Sequence, residues 1–411
     1  MAALQCRSCG ASLSQVVADL GSTPLSNAFL TDEQLGRMEP FYPLKAYVCG
    51  RCFLVQLEAF EPPEKIFQEY AYFSSYSESW LEHCRRYARM AIERFGLGPQ
   101  SQVVEIASND GYLLQFFRDA GVPVLGVEPA QNVARVAVQR GVPTVVQFLG
   151  RATGAAMAAR GQRADLLIAN NVLAHVPDLN DFVAGLAALL KPQGVLTLEF
   201  PHVRELIAHS QFDTIYHEHF CYFSLLSASG ALARHGLEVF DVERIPTHGG
   251  SLRVYAAHRA AAQARLTAAP TELLAAERAA GLDDVATYDA FEARARAAKR
   301  GLLRFLIEVR EKGERVAGYG APAKGNTLLN YCGIRRDLLE YTVDRNPYKQ
   351  GRYLPGTHLP IFAPEKIGET RPDYVLILPW NLRDEVVAQL AYIRQWGGRF
   401  VVPIPAVEVI A

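Results

Sequence analysis

Four ionisable side chains follow one another in the segment Tyr216-His217-Glu218-His219, beyond an apolar stretch that ends near residue 200. Histidine can act as a general base near neutral pH, and a tyrosine hydroxyl can stabilise a developing oxyanion. A glutamate can orient a histidine or hold a substrate hydroxyl. His175 follows an earlier apolar stretch, so we expect it at the same end of a sheet. The pattern predicts a proton-transfer site. The alternatives are a metal site, from the HxH spacing, and a structural polar loop.

Two CxxC pairs, Cys6-x-x-Cys9 and Cys49-x-x-Cys52, are separated by 39 residues. Four thiolates can close a tetrahedral shell around Zn²⁺, which leaves no open position, so we expect structural zinc. The alternatives are two unrelated reduced pairs or a redox dithiol, but neither pair has the βαβ setting of a redox motif. Seven cysteines are too few for a disulfide scaffold. Their odd number and close pairing predict a reducing compartment, the cytoplasm.

Strands alternate with helices from about residue 100 to residue 258. This alternation predicts a parallel sheet with helices on both faces. A helix is predicted over 80–96, before the first strand. The predicted strands are VVEIA (103–107), VLGVE (124–128), TVVQF (144–148), ADLLIAN (164–170), GVLTLEF (194–200), and an antiparallel edge pair, LEVFDVERI (237–245) and SLRVYAAH (251–258).

A cofactor site is expected beyond the carboxyl ends of these strands. The loop SNDG (108–111) has one glycine, which suits the pyrophosphate of NAD poorly. Glu128 can accept hydrogen bonds from two ribose hydroxyls, and Glu105 or Asp110 could face a cationic amino-acid group. These features predict S-adenosylmethionine, which has no phosphate. The remaining predicted cofactor contacts are Gln147 and Phe148 by the adenine, Asn170 and Asn171 under the methionyl part, and Ala107, Asn109, Gly111 and Asn132.

A second, smaller α/β unit begins near residue 314, after a helical connector over 261–312. Its first strand enters the turn GYGAPAKGNT (318–327), which resembles a phosphate-cradling turn with Lys324 supplying positive charge. Asn326 lies in the same motif, and Asp344, Asn346 and Lys349 follow the next strand, where they could hold a ribose or base. The pattern predicts a nucleotide site. The alternative is a degenerate dinucleotide fold used only for packing.

Three tyrosines, Tyr70, Tyr72 and Tyr76, fall within seven residues of an aromatic, acidic stretch. Such density is typical of packing between domains. It can also line a ligand cleft, where the phenol groups supply hydrogen bonds.

Length and charge limit the classes of function. The 411 residues predict several domains, and a net charge of −1 gives no general attraction to nucleic acid or anionic membrane. The N-terminus lacks the pattern of a signal peptide, and no apolar run is long enough to span a membrane. We therefore expect neither nucleic acid nor membrane as a partner. The predicted domains are residues 1–75, 76–260, 261–312 and 313–411.

The chain resembles the sugar C-methyltransferases that act on dTDP-linked 4-keto-deoxysugars. The resemblance extends over nearly all of the chain. Within this family, the chain is most similar to the 3-C-methyltransferases of branched antibiotic deoxysugars. The motifs that carry it are the two CxxC pairs, EIASNDGYLL, GVEPAQN, YHEHFCYFS, THGGSLRVY, GYGAPAKGNTLLN and VDRNPYKQGRYLPGTHLPI. It implies a class I, Rossmann-like methyltransferase domain between a small four-cysteine zinc domain and a second, smaller Rossmann-like α/β domain.

The same resemblance implies roles for particular residues. His219 would be the general base, with Tyr216 and Glu218 at the sugar and His175 assisting. One tyrosine of the 70–76 stretch, with Tyr70 favoured, would reach the site. Further predicted substrate contacts are Tyr72, Tyr76, Tyr222 and His248.

These inferences lead to one principal hypothesis, methylation of C3 of a dTDP-linked 4-keto-deoxysugar by a monomer, through an enediolate formed by His219. The second hypothesis is an O- or N-methyltransferase of another small molecule. The third is a binding module that contacts nucleic acid through the zinc knuckles, against which the balanced charge counts.

Overall fold

The computed structural model describes residues 4–62, Ser75 and 78–411, with Ser79 described by its backbone alone. Apolar runs bounded by turns form its strands. In chain order they are β1 (Gln15–Thr23), β2 (Tyr42–Val48), β3 (Val55–Leu57), β4 (Val103–Ile106), β5 (Val124–Val127), β6 (Thr144–Val145), β7 (Ala164–Asn170), β8 (Leu190–Pro201), β9 (Cys221–Tyr222), β10 (Leu237–Ile245), β11 (Ser251–His258), β12 (Val316–Tyr319), β13 (Thr342–Val343), β14 (Ile361–Phe362), β15 (Tyr374–Ile377), β16 (Arg399–Val402) and β17 (Glu408–Ile410).

The α-helices of the described residues separate most of these strands. They are α1 (Glu78–Phe95), α2 (Leu114–Asp119), α3 (Gln131–Gln139), α4 (Arg151–Ala159), α5 (Leu179–Leu189), α6 (Val203–Ala208), α7 (Leu225–Ala233), α8 (Arg259–Gln263), α9 (Ala269–Ala279), α10 (Ala286–Asp289), α11 (Phe291–Glu311), α12 (Ala323–Cys332), α13 (Lys366–Thr370) and α14 (Arg383–Gln389). Two of them begin at side-chain caps, because Asp178 accepts from the backbone N–H of Asp181 and Ser224 from that of Ser227.

The central sheet has the strand order β10-β11-β8-β7-β4-β5-β6. Its five strands from β8 to β6 are parallel to their neighbours, and β11 and β10 extend it antiparallel, as predicted. Alternate residues of β7 enter different cores, with Leu167 on one face and Leu166 and Ile168 on the other. Because both faces are covered, the carboxyl ends of the strands are left as the place where a ligand can bind.

The N-terminal sheet has the order β1-β2-β3-β9 and is antiparallel throughout. Its last strand, β9, comes from the loop that follows β8, more than 150 residues farther along the chain. Val55 and Gln56 of β3 pair with Tyr222 and Cys221. The segment that contains His219 is therefore held by the N-terminal sheet.

The C-terminal sheet has the order β14-β13-β12-β15-β16-β17 and is parallel except for its last pair. One apolar core joins it to the N-terminal sheet through α11. Val17 and Leu44 of the N-terminal sheet, Leu302 of α11, and Leu328 and Leu376 of the C-terminal unit are all buried in this core. The two units therefore pack on each other and on the loops of the central sheet.

Several predicted elements differ in extent. TVVQF forms a strand only at Thr144–Val145, because the next residues leave the sheet edge and Val146 and Phe148 are exposed. The helical connector over 261–312 contains several helices, with a break between α10 and α11 at Ala290. No helix of the described residues is long and apolar enough to cross a membrane.

Candidate active site

A cavity of about 750 Å³ lies at the carboxyl end of the central sheet, where all three sheets meet. Its wall combines loops after β4, β5, β6 and β7 with the segment between β8 and β9. The N-terminal unit contributes Leu25, Asn27 and Phe29, and the C-terminal unit contributes Lys324 and Lys349. Its volume is within the range of cavities that enclose small ligands.

Most of the predicted cofactor contacts line one part of this cavity. They are Ala107, Asn109, Glu128, Gln147, Phe148, Asn170 and Asn171. Three of them, Ala107, Asn109 and Asn171, have φ values of 54°, 49° and 56°, a region that non-glycine residues seldom occupy. Strained backbone of this kind is often found at ligand sites, where it brings backbone groups close to the ligand.

The Glu128 carboxylate connects two of these loops. One oxygen accepts from the backbone N–H of Asn109 at 2.9 Å and the other from that of Ala130 at 2.8 Å. Burial raises the pKa of Glu128, and these two hydrogen bonds oppose the shift. Each carboxylate oxygen has a second lone pair. The residue can therefore accept from vicinal hydroxyls of a ribose.

One buried acceptor on the same wall is open to a donor from a ligand. Asn170 is 8% exposed, and its Oδ1 atom has no hydrogen-bond partner among the described residues. An unsatisfied buried carbonyl is costly, so a ligand with N–H or O–H groups stabilises this arrangement. The hydroxyls and ammonium of S-adenosylmethionine fit this donor requirement.

Four predicted cofactor residues do not line the cavity, namely Glu105, Asp110, Gly111 and Asn132. Glu105 is enclosed in the sheet, and burial raises its pKa well above the usual range. Asp110 accepts from Arg140 at 2.8 Å and from Ser75. Gly111 shapes the loop at φ 78°, and Asn132 lies in the first turn of α3. Neither Glu105 nor Asp110 is thus among the residues that line the cavity, and the expectation that one of them faces an amino-acid group stays a prediction.

His219 lies in the loop before β9 with both ring nitrogens engaged. Its Nδ1 is 2.9 Å from the carbonyl oxygen of Thr214, and its Nε2 is 2.7 Å from the hydroxyl of Tyr216. Because a carbonyl can only accept, Nδ1 carries the proton and Nε2 has a lone pair, to which Tyr216 donates. Burial holds the pKa of His219 well below its ordinary value, with His175 and Lys324 adding to the shift. This imidazole is a neutral base.

His175 and Glu218 complete this part of the wall. The ring of His175 meets that of His219 edge-on with centroids 4.7 Å apart, and it hydrogen-bonds the backbone of Glu218. Burial lowers the pKa of His175 to about 4. Glu218 is 2% exposed, accepts from the Asn27 side chain at 2.7 Å, and has its pKa raised to about 7 by burial. The structure thus brings together His175, Tyr216, Glu218 and His219, as predicted.

Two more predicted substrate contacts line the cavity. The hydroxyl of Tyr222 lies 3.4 Å from the carbonyl of Thr214, which also holds His219. His248 lies opposite, at φ 56° and with ring centroids 5.4 Å from Trp80. Burial lowers the pKa of His248 to about 4. Tyr70, Tyr72 and Tyr76 lie outside the described residues.

The C-terminal unit contributes fewer residues than predicted. Lys324 and Lys349 line the cavity, whereas Asn326, Asp344 and Asn346 do not. Asp344 accepts from the backbone N–H groups of Ala321 and Asn346 at 2.7 and 2.8 Å, so its carboxylate shapes the turn. The Asn346 side chain accepts from the backbone N–H of Tyr348, and Asn326 is buried beside the carbonyl of Ser26. These three side chains thus bond backbone groups of the protein.

Sequence reasoning missed Asn27, Phe29 and Trp80, which also line the cavity. Asn27 is 191 residues from its partner Glu218, and no spacing rule connects the two. Trp80 stacks on His83, which contacts the buried carboxylate of Glu199 at 3.1 Å. The aromatic, acidic stretch that precedes and enters α1 was the available sequence signal for the part of the wall that Trp80 forms. The prediction chose the tyrosines of that stretch instead of Trp80.

The four cysteines of the CxxC pairs converge at the turn between β2 and β3 of the N-terminal sheet. Their sulfur atoms all lie within 4.8 Å of one another, with Cys6 to Cys52 and Cys9 to Cys49 at 3.5 Å. Gln56 donates to the sulfur of Cys6 at 3.3 Å. Tetrahedral Zn²⁺ with Zn–S bonds of about 2.3 Å fits this donor set. Cys84, Cys221 and Cys332 are buried elsewhere as free thiols.

Three family models match consecutive parts of the chain. They are described as "Putative zinc binding domain" (residues 6–67), "Methyltransferase domain" (80–242) and "C-methyltransferase C-terminal domain" (246–405). C-methyltransferase NovU of Streptomyces niveus is 40% identical over 410 residues, which are 99% of this chain and 97% of NovU. The chain belongs to the C-methyltransferase family of NovU.

Other likenesses are confined to part of this C-methyltransferase. A ubiquinone biosynthesis O-methyltransferase of Rhodopseudomonas palustris is 27% identical over 152 residues, or 32% of this chain and 60% of that protein. The structure of the CcbJ methyltransferase from Streptomyces caelestis covers 47% of this chain and 98% of its own, at 14% identity and a TM-score of 0.36.

Family membership confirms the enzyme class and the fold. The chain is an S-adenosylmethionine-dependent C-methyltransferase, with a class I methyltransferase domain, a four-cysteine cluster and an additional α/β unit. A carbon that exchanges a hydrogen for a methyl group gives up a proton in the course of the reaction. The neutral Nε2 of His219 is a basic group on the wall of the cavity.

Proposed function

We propose that this C-methyltransferase methylates C3 of a dTDP-linked 4-keto-deoxysugar, in the biosynthesis of branched deoxysugars such as those of antibiotics. The observation that carries the proposal is the lone pair of His219 Nε2, held 2.7 Å from the Tyr216 hydroxyl inside the cavity. A ketone at C4 acidifies the hydrogen on C3, so a neutral imidazole is a sufficient base there. When bound, S-adenosylmethionine supplies an electrophilic methyl group.

Residues 213–220, called the catalytic loop below, and His175 share the steps of the proton transfer. The Tyr216 hydroxyl first leaves the lone pair of Nε2 and turns to the C4 oxygen. His219 then takes the C3 proton on Nε2, while Tyr216 donates to the oxyanion that develops at C4. The hydrogen bond from Nδ1 to the Thr214 carbonyl becomes stronger as the imidazole gains charge. His175 keeps the backbone of Glu218 in place, and the Glu218 carboxylate accepts from a sugar hydroxyl.

Two lysines give the C-terminal wall its positive charge. Lys349 donates to the carbonyl of Ala321 at 2.9 Å, and Lys324 donates to Asn381 at 2.8 Å beside the start of α12. Ammonium groups next to a helix N-terminus are suited to phosphate. We assign the diphosphate of the nucleotide to this wall.

The four-cysteine cluster has a structural role in this proposal. Four sulfur ligands fill the tetrahedral shell of Zn²⁺ and leave no position for substrate. The cluster lies behind β3, which pairs with β9 next to the catalytic loop. Its contribution is to hold that pairing.

Mass spectrometry in D₂O tests the proposal with a dTDP-4-keto-2,6-dideoxyhexose as acceptor. We expect one added methyl at carbon with S-adenosylmethionine present, and deuterium at C3 of unreacted sugar. His219→Asn should abolish both, whereas His209→Asn, at an exposed histidine paired with Glu205, should leave both unchanged. Full exchange and methylation in the His219 variant would disprove its role as base. An inert wild-type enzyme that still binds S-adenosylmethionine would exclude this acceptor.

A further inference from the structure

The segment from Pro24 to Leu30, called the 24–30 segment below, leaves β1 and enters the wall of the cavity. Leu25, Asn27, Ala28 and Phe29 are among the lining residues. The Asn27 side-chain amide crosses to the catalytic loop and donates to Oε2 of Glu218 at 2.7 Å. The distance is typical of a hydrogen bond to a charged acceptor. A side chain of the N-terminal unit thus contacts a carboxylate in the centre of the site.

We propose that Asn27 is a positioning residue for methyl transfer, whose amide fixes the orientation of the Glu218 carboxylate toward the acceptor. The N-terminal unit would then supply a working part of the active site in addition to a metal cluster. The inference rests on the proposed function, because it takes Glu218 as the group that contacts the acceptor.

The neighbours of Asn27 explain how its amide can be aimed. Leu30 and Tyr353 exchange two backbone hydrogen bonds at 3.0 and 2.9 Å, which fasten the segment to the C-terminal unit. The Asn326 side chain donates to the carbonyl of Ser26 at 3.4 Å. Phe29 lies under Lys349, whose ammonium is 5.4 Å from the ring centroid. Contacts on both sides of Asn27 therefore restrict its backbone.

Asn27 also affects the charge on Glu218. Burial raises the pKa of Glu218 to about 7, and the amide opposes this shift because it donates to the ionised form. The backbone N–H of Asn27 donates to the same carboxylate and is kept in an alanine variant, and His175 bonds the Glu218 backbone. Without the amide, the pKa rises further and a smaller fraction of Glu218 is ionised at pH 7.

A double-mutant cycle tests the assignment in the full-length enzyme with its metal bound. The variants are Asn27→Ala, Glu218→Gln and the pair, and the control is Ser26→Ala, which removes a hydroxyl facing Thr327 instead of the catalytic loop. We expect Asn27→Ala to lower kcat about 10- to 100-fold with KM within about twofold, from the strength of one charge-assisted hydrogen bond. On the Glu218→Gln background the same change should lower kcat by less than about twofold.

The pH profile separates positioning from a general structural effect. In Asn27→Ala the acidic limb of kcat/KM should move to higher pH, whereas zinc content and circular dichroism stay as in the wild type. The inference would be overturned if Asn27→Ala lowered kcat equally in the wild type and in Glu218→Gln. It would also be overturned if the acidic limb of kcat/KM stayed at the same pH.

A measurement without substrate tests the inference about Asn27 separately from the proposed function. If the wild type does not methylate the keto-sugar, the proposed acceptor is wrong, but Glu218 can still be titrated by difference infrared spectroscopy. The carboxylic acid band of Glu218 is identified as the one that is absent from Glu218→Gln. In Asn27→Ala this band should titrate at higher pH than in the wild type. An unchanged midpoint would overturn the inference about Asn27.

Discussion

Replacement of Tyr216 by phenylalanine separates the proposed roles of base and oxyanion donor. In the structure the Tyr216 hydroxyl is bonded to His219 Nε2 at 2.7 Å, so it has to break this bond before it serves the C4 oxygen. Loss of one oxyanion donor costs about 2.7–4 kcal/mol in other enzymes. The wild type has to break the hydrogen bond between Tyr216 and His219 during the reaction, whereas the variant does not. This difference offsets about 0.5–1.5 kcal/mol of the cost. We therefore expect the activation free energy to rise by about 2–3 kcal/mol, which lowers kcat about 30- to 150-fold.

Single-turnover methyl transfer and C3 deuterium exchange measure this effect. KM should change little, because the hydroxyl contacts His219 and not the acceptor in the ground state. Tyr222→Phe is the comparator, since it removes a hydroxyl of the same cavity that is 3.4 Å from the Thr214 carbonyl, and it should cost less than about 1 kcal/mol. Equal losses in the two variants, or a loss confined to KM, would refute the assignment of Tyr216 as oxyanion donor.

Further predictions concern four other positions. Because burial raises the pKa of Glu218 to about 7, kcat/KM should rise with pH through that value as the carboxylate ionises, and Glu218→Gln should remove this limb from a pH–rate profile. Lys349→Met should raise KM for the nucleotide sugar about tenfold with kcat nearly unchanged, as measured by steady-state kinetics. Cys49→Ser should reduce zinc content by mass spectrometry and lower the melting temperature by at least about 5 °C. Gly111→Ala should destabilise the fold by about 1–2 kcal/mol in urea unfolding, because the position has φ 78° and a Cβ would lie 3.0 Å from Val142.

Strands and loop positions of the central sheet were predictable from the sequence. ADLLIAN, LEVFDVERI and SLRVYAAH form strands over their predicted residues, because each is an apolar run between turn residues with two neighbours or a hairpin partner in the sheet. The carboxyl ends of parallel strands lie at one edge, so residues that follow them had to come together. Glu128 and Asn170 were found by this rule.

Side-chain direction was harder to predict than position. Glu105 and Asp110 lie at the expected end of the sheet, but one is enclosed by the sheet and the other is paired with Arg140. Asp344 follows its strand as predicted, yet backbone N–H groups of its own turn occupy the carboxylate. An acid at a strand end can bind a ligand or hold a loop, and the sequence does not distinguish these uses.

Contacts between units were beyond reach of sequence patterns, and they determine the shape of the catalytic loop. Gln56 donates to the sulfur of Cys6, and its backbone pairs with Cys221, two residues after His219. At the start of the same loop, Asp213 accepts from the Trp380 indole of the C-terminal unit at 2.7 Å. A loop of this length, held only at its own ends, would have many conformations to lose on binding substrate. Because the N-terminal and C-terminal units hold it from opposite sides, much of that ordering is complete before the acceptor arrives, which favours proton abstraction at a fixed carbon.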